Sequence, residues 1–284
     1  MFRQIAEFGI LACGLTVVII SGGIDLSVGS ILGLIAVIFA LITIHHGIPV
    51  YAAIPMCLLA GGALGGISGF LIHYFRMQPF VVTLAMMVFA RGAAKYVSGG
   101  QKISNYVMKP DSTFEIIELP KVFDVLNSQI LGGNLAVVTV IYLCTLVVTA
   151  VILATTPIGR YLYAVGGNED SARLSGVPVG LTKLFAYALC GVFAAMAGIC
   201  HAAQERQGDP EAGATYELTA IAIVVIGGTN LMGGRGGALL TLLGSLTIGY
   251  LDKILSINAV SEAGRLMLTG LIIVSAVIFQ RRRT

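Results

Sequence analysis

Residues 160–176 read RYLYAVGGNEDSARLSG, a polar stretch inside an island (155–182) between two apolar segments long enough to cross a bilayer. Its middle predicts a short capped helix. Asn168 stands where an N-cap belongs, and Glu169 and Asp170 fill the first turn, where the helix dipole favours negative charge. Ala172 lies mid-helix, Arg173 falls in the last turn, Gly176 suits the left-handed position beyond it, and Pro178 prevents continuation. A loop that merely joins two membrane helices has no need of a capped helix of its own. The stretch therefore reads as a docking element for a soluble partner, with an amphipathic helix lying on the membrane surface as the competing reading.

The composition around this island decides the class. Of 284 residues, 57% are hydrophobic and 11% charged, with a mean hydropathy of +0.93. A soluble domain carries about 25% charged residues, so this chain cannot cover itself with water-facing side chains. The apolar runs have helix length, unlike the short alternating strands of a membrane barrel, and the expected fold is an all-α polytopic membrane protein. The start of the chain lacks the basic region and small-residue cleavage site of a signal peptide. A net charge of +3 is too small to suggest nucleic acid. Cys13, Cys57, Cys144, Cys190 and Cys200 lie in apolar segments without a CxxC pair, which points to packing and to neither disulfide nor metal.

Membrane segments are expected near 8–22, 28–44, 50–72, 80–97, 133–153, 184–203, 216–230, 236–252 and 263–279, all within one domain over 1–284. Arg281, Arg282 and Arg283 at the C-terminus favour the cytoplasmic side. Alternation then puts the loops at 73–79, 155–182 and 231–235 inside. The loop 98–132, the loop 204–215 and the turn near 253–262 fall outside, with the N-terminus.

Two stretches interrupt the helical pattern, near 22–30 and 227–237. They share GG-x-[DN]-L-x-x-G, beginning at Gly22 and at Gly227, each after a run rich in valine and isoleucine. A distant internal repeat and an ordinary glycine-rich reversal both fit. Irregular backbone at membrane depth is tolerated where protein buries it or where it lines a wet cavity, so Asp25, Ser27, Thr229 and Asn230 are candidates for a substrate path. For Asp25 the alternative is a structural cap at the helix restart. Arg91 is expected to anchor at the outer interface, lining the path being the alternative, and His45, His46, His73 and His201 are expected at interfaces. Glycines at 61, 62, 65, 66 and 69 predict a close helix–helix contact. No nucleophile–base or metal motif is present, and no GxxxxGK[ST] that would cradle ATP.

Several stretches together resemble the permease subunits of bacterial ABC importers for monosaccharides, of the ribose/galactose/xylose type. They are Gly23–Ser30; Pro79–Leu84 with Arg91-Gly92; Gly159-Arg160-Tyr161 through Gly166–Glu169 to Ser175-Gly176-Val177; Tyr216-Glu217-Leu218; and Val225–Thr229 with Gly233–Gly236. The resemblance implies a bacterial inner-membrane permease working as a homodimer or close heterodimer among membrane lipids. A cytoplasmic ABC ATPase that binds ATP-Mg would drive it, and a periplasmic sugar-binding protein would feed it. It also implies that Asn168, Glu169, Ala172, Arg173 and Gly176 belong to a coupling helix seated in a groove of the ATPase, with 98–132 on the periplasmic side. Family members usually have ten helices, the extra one preceding the region that matches residues 1–13, which suggests a start placed too late. They often carry an acid where Thr219 stands. An ion-coupled secondary transporter is the alternative; it would need intramembrane carboxylates, and apart from Asp25 the acids read as edge or loop residues.

Overall fold

The computed structural model describes residues 2–274 except 109–113, 131, 134, 262, 266, 269 and 273. Its helices are α1 (Phe2–Ile20), α2 (Val28–Ala40), α3 (Val50–Tyr74), α4 (Pro79–Ser98), α5 (Lys121–Asn127), α6 (Val137–Thr155), α7 (Pro157–Gly167), α8 (Glu169–Leu174), α9 (Val179–Glu205), α10 (Tyr216–Gly227) and α11 (Ala238–Ile257). One π-helical turn, Leu41–His45, extends α2. Among the described residues six helices are long and apolar enough to cross a membrane, and Ile5–Ile20 and α10 are shorter apolar helices. Of the expected segment at 263–279, residues 275–279 lie outside the described residues, as do Arg281, Arg282 and Arg283.

Local chemistry sets the boundaries. Pro79 and Pro157 occupy first-turn positions, where a missing N–H costs nothing. Gly99 closes α4 in the left-handed conformation. The long outer loop is more structured than its polarity suggested. Short antiparallel hairpins, β1 (Tyr106–Met108) with β2 (Phe114–Ile116) and β3 (Gln129–Ile130) with β4 (Leu135–Ala136), flank α5. Phe123 of α5 is buried, stacked 5.6 Å from Phe39 of α2. Because β4 takes Leu135 and Ala136, the helix expected from 133 begins at Val137.

Helix α1 forms the axis of the bundle. It is buried almost all round from Ala6 to Ile20, packed among α6, α9, α10 and α11. Helix α3 lies along α9 through its glycine face: a side chain at Gly65 would overlap the Tyr187 carbonyl, and one at Gly191 the Gly61 carbonyl. Lipid tails are as apolar as leucine, so it is this backbone contact, and no expulsion of water, that holds the pair.

The loops collect at two ends, as the alternation of segments requires. At one end Ile103 and Gly208 exchange backbone hydrogen bonds of 2.8 Å, and Lys102 pairs with Asp209 at 2.9 Å. At the other, Gly180 packs against the His73 ring, and the 157–178 segment meets the two breaks.

Substituting Gly191→Val forces a branched side chain into backbone. Overpacking of this kind costs about 1–3 kcal/mol. The variant is expected to unfold several degrees earlier in detergent, with a wild-type melting temperature as the contrary result.

Candidate functional site

The polar island folds as two short helices. In α7 the Thr156 hydroxyl accepts from Gly159 N–H at 3.1 Å. In α8 the Asn168 Oδ1 accepts from Ser171 N–H at 2.8 Å. Beyond Ser175, Gly176 has φ +80°. Its N–H donates to the Arg173 carbonyl and that of Val177 to the Ala172 carbonyl, the paired bonds of a glycine-closed helix end. Ala172 is buried against Val165 and Val179, while Leu174 at the tip is 90% exposed. Glu169 holds Arg173 at 3.0 Å and reaches Lys183 of α9 at 2.5 Å, tying the knob to the membrane helix. Burial pushes the Glu169 carboxyl up, but the Lys183 hydrogen bond and charge, with the Arg173 charge, more than reverse this and hold it below its usual range. The sequence showed α8 through its caps. It hid α7, whose start lies in the tail of an apolar run, and it gave no sign that Leu174 stands clear.

Helix α7 rests directly on the two glycine-rich breaks. A Cβ on Gly166 would overlap the Ile20 carbonyl and lie 2.7 Å from Gly234 N; one on Gly233 would lie 2.9 Å from Gly22 Cα. Gly234 N–H donates to the Ile20 carbonyl at 2.9 Å, and the Tyr163 hydroxyl to the Gly236 carbonyl at 2.9 Å. Three stretches distant in sequence thus meet backbone to backbone. The breaks also share one local device. Asp25 Oδ1 accepts from Ser27 N–H at 2.9 Å, and Asn230 Oδ1 from Met232 N–H at 3.1 Å, the same side-chain-to-backbone turn at equivalent places of the shared pattern. Helices α1 and α10 run in the same sense into them: Phe8 and Tyr216 meet in their N-terminal parts (4.5 Å, rings tilted by 50°), and the breaks that follow them meet at Gly22 and Gly233.

A third irregular stretch escaped the sequence reading. Helix α10 has 12 residues, about 18 Å at 1.5 Å per residue, against a hydrocarbon core of about 30 Å. Residues 206–215 make up the difference by descending beside α2, Gly208 lying against Ala36 and Val37 and Gly213 against Gly29. Arg206 (φ 54°), Gly213 (φ 72°) and Thr215 (φ 67°) all take left-handed backbone. Arg91 supports this descent, its guanidinium donating to the Pro210 carbonyl at 2.5 Å and the Ala212 carbonyl at 2.7 Å. Arg91, expected as an interfacial anchor, bonds main-chain oxygens more than a hundred residues away, a pairing that no local pattern reveals.

At the same end a cavity of about 490 Å³ opens among α1, α9, α10 and α11. Glu7 and His201 face it, 3.0 Å apart and largely buried, and Gln204 donates to the other Glu7 oxygen. His201 faces this cavity near the end of α9, and Glu7 adds a buried acid that its place near the chain start concealed. Tyr216, Thr219 and Ser245 also line the cavity. Ser245 pairs with the Tyr142 hydroxyl at 2.7 Å, and elsewhere in the core the Thr16 and Thr241 hydroxyls meet at 2.5 Å. Asp25, Ser27 and Thr229 lie elsewhere, fully enclosed at the breaks, with Asn230 half-buried beside them. Cys13, Cys57, Cys190 and Cys200 are buried free thiols, and Cys144 is exposed. Among the described residues no His, Cys, Asp or Glu side chains group as metal ligands.

Comparison with known proteins gives a match over residues 1–277 to the family described as branched-chain amino acid transport system / permease component. The chain is 38% identical to the ribose import permease protein RbsC of Haemophilus influenzae, over 98% of this chain and 83% of that protein. It is 36% identical to RbsC of Escherichia coli K12 (100% and 85%) and 37% identical to the fructose import permease protein FruG of Bifidobacterium longum (99% and 81%). No solved structure matches it.

Two outcomes follow from this geometry. Arg91→Leu leaves the buried Pro210 and Ala212 carbonyls without donors, at about 1–3 kcal/mol each, and amide exchange across 206–215 should rise while that of α3 stays put. Because Glu169 titrates lower when folded, its contribution is complete above the unfolded value, near 4.5, and fades only as pH falls through the lower folded value. Exchange protection of residues 169–176 is thus expected to hold at pH 5 and to drop below about pH 4; loss already between pH 6 and 5 would contradict it.

Proposed function

The chain belongs to the branched-chain amino acid transport system / permease component family, and we propose that it is the multi-pass inner-membrane permease of an ATP-driven monosaccharide importer. The observation that carries this reading is the similarity, along essentially the whole chain, to permeases named for ribose and fructose import. A permease of this kind works with an ATPase and a substrate-binding protein. The finer assignments are proposals: two permease copies side by side among the lipids, ATP-Mg held by the cytoplasmic ATPase, and a periplasmic protein delivering the sugar at 98–132.

The capped helix α8 supplies the mechanical contact. Its caps at Asn168 and Gly176 and the Glu169 pairs fix it as a rigid piece, Ala172 seats it, and exposed Leu174 offers an apolar tip to a groove on the ATPase. Movement of α8 passes through Gly167 into α7, and α7 touches both breaks through Gly166 and Tyr163. The breaks, with Asp25, Ser27, Thr229 and Asn230, form the inner closure of the path. A packed backbone junction shifts between discrete arrangements in preference to deforming smoothly, which is what couples a nucleotide cycle to opening and shutting.

Two variants test the two halves of this route. Leu174→Asp should abolish co-purification with the ATPase while leaving membrane insertion intact. Gly166→Ala should keep the ATPase bound and hydrolysing but cut uptake of radiolabelled monosaccharide at least about tenfold, a 1.4 kcal/mol effect. Wild-type uptake in Gly166→Ala would remove the junction from the mechanism.

A further inference from the structure

We infer that the cavity among α1, α9, α10 and α11 is a holding site for one neutral sugar ring on its way through, with Glu7 reading hydroxyls and Tyr216 receiving the ring's C–H face. This inference rests on the import reading and adds to it a place and a set of contacts.

The volume, about 490 Å³, falls in the range of small-molecule sites, about 300–1,000 Å³. Its chemistry selects the class of ligand. Glu7 is already met by His201 on one oxygen and Gln204 on the other, which fixes the carboxylate in the cavity wall. A carboxylate has about four acceptor positions, and two remain for ligand hydroxyls. Glu205, Asp252, Lys253 and Arg265 also line the cavity, with Asp252 and Arg265 paired at 3.0 Å, so it carries charges of both signs. Tyr216 is braced on two sides, by Phe8 at 4.5 Å with the rings tilted by 50° and edge-on by His201 at 6.1 Å. Positioned acceptors beside a braced aromatic ring suit a polyhydroxylated ring, whose hydroxyls need partners and whose C–H face is apolar. Ser245 in the lining is paired with the Tyr142 hydroxyl behind it and can exchange that partner for a sugar hydroxyl. Irregular backbone at 214–215 borders the same space, as expected where non-helical chain lines a wet cavity.

The chain contains no tryptophan, so Phe8→Trp installs a single emission reporter against Tyr216. The full permease with its ATPase, in lipid nanodiscs, would be titrated with D-ribose, D-fructose, D-xylose and D-galactose, and with L-leucine. The expected result is a saturable emission change for at least one sugar and none for leucine. In Phe8→Trp/Glu7→Gln the half-saturating concentration should rise about tenfold or more, the loss of a hydrogen bond to a charged group. Saturation-transfer NMR of the same sugars on the unmodified complex repeats the test without the reporter, the ring C–H signals disappearing in Tyr216→Leu. If wild-type proteoliposomes supplied with the cognate binding protein import a sugar that gives no saturable signal in either experiment, the holding site is wrong and the import reading stands. Import of leucine and of no sugar overturns both.

Discussion

A peptide group in hydrocarbon has no water to bond, and leaving one unmet costs several kcal/mol. This chain interrupts its helices at 21–27, 206–215 and 228–237, and each interruption is met from elsewhere in the protein. The Ile20 carbonyl takes the Gly234 N–H, and the Gly236 carbonyl takes the Tyr163 hydroxyl. The Pro210 and Ala212 carbonyls take the Arg91 guanidinium, and the Ile24 carbonyl takes the Thr83 and Tyr187 hydroxyls. The arrangement of the bundle follows from these debts of hydrogen bonding as much as from apolar packing.

The same constraint joins the soluble knob to the membrane core. Glycines at 22, 166, 233 and 234 let three main chains touch, so α7 and both breaks occupy one junction without side chains between them. A contact made of backbone has little slack. Rigid capping of α8, the Glu169 ion pairs to Arg173 and Lys183, and this junction make a short continuous line of contacts from the knob to the two breaks. At the opposite end the mixture is different: a cavity with buried polar side chains, reached past a strained and salt-bridged descent at 206–215. The two buried acids are both held by neighbours: Asp25 Oδ1 by the Ser27 amide and hydroxyl, and Glu7 by His201 and Gln204.

Much was legible in the residues alone. Composition and run length determined an all-α polytopic membrane protein, because a chain with so few charges has no soluble alternative. Asn168, Gly176 and Pro178 determined the ends of α8, since caps act over three or four residues. The shared GG-x-[DN]-L-x-x-G pattern marked both breaks, and its Asp25 and Asn230 make the same local turn. Only the tertiary structure decided that those breaks close on each other and on Gly166, that Arg91 braces 206–215, that α10 is half a span, and that Glu7, His201 and Tyr216 share a cavity. The physical reason is range. Propensity, capping and hydropathy are written in neighbouring residues, whereas a carbonyl's donor or a cavity's far wall lies a hundred or more positions away and is set only when the helices pack.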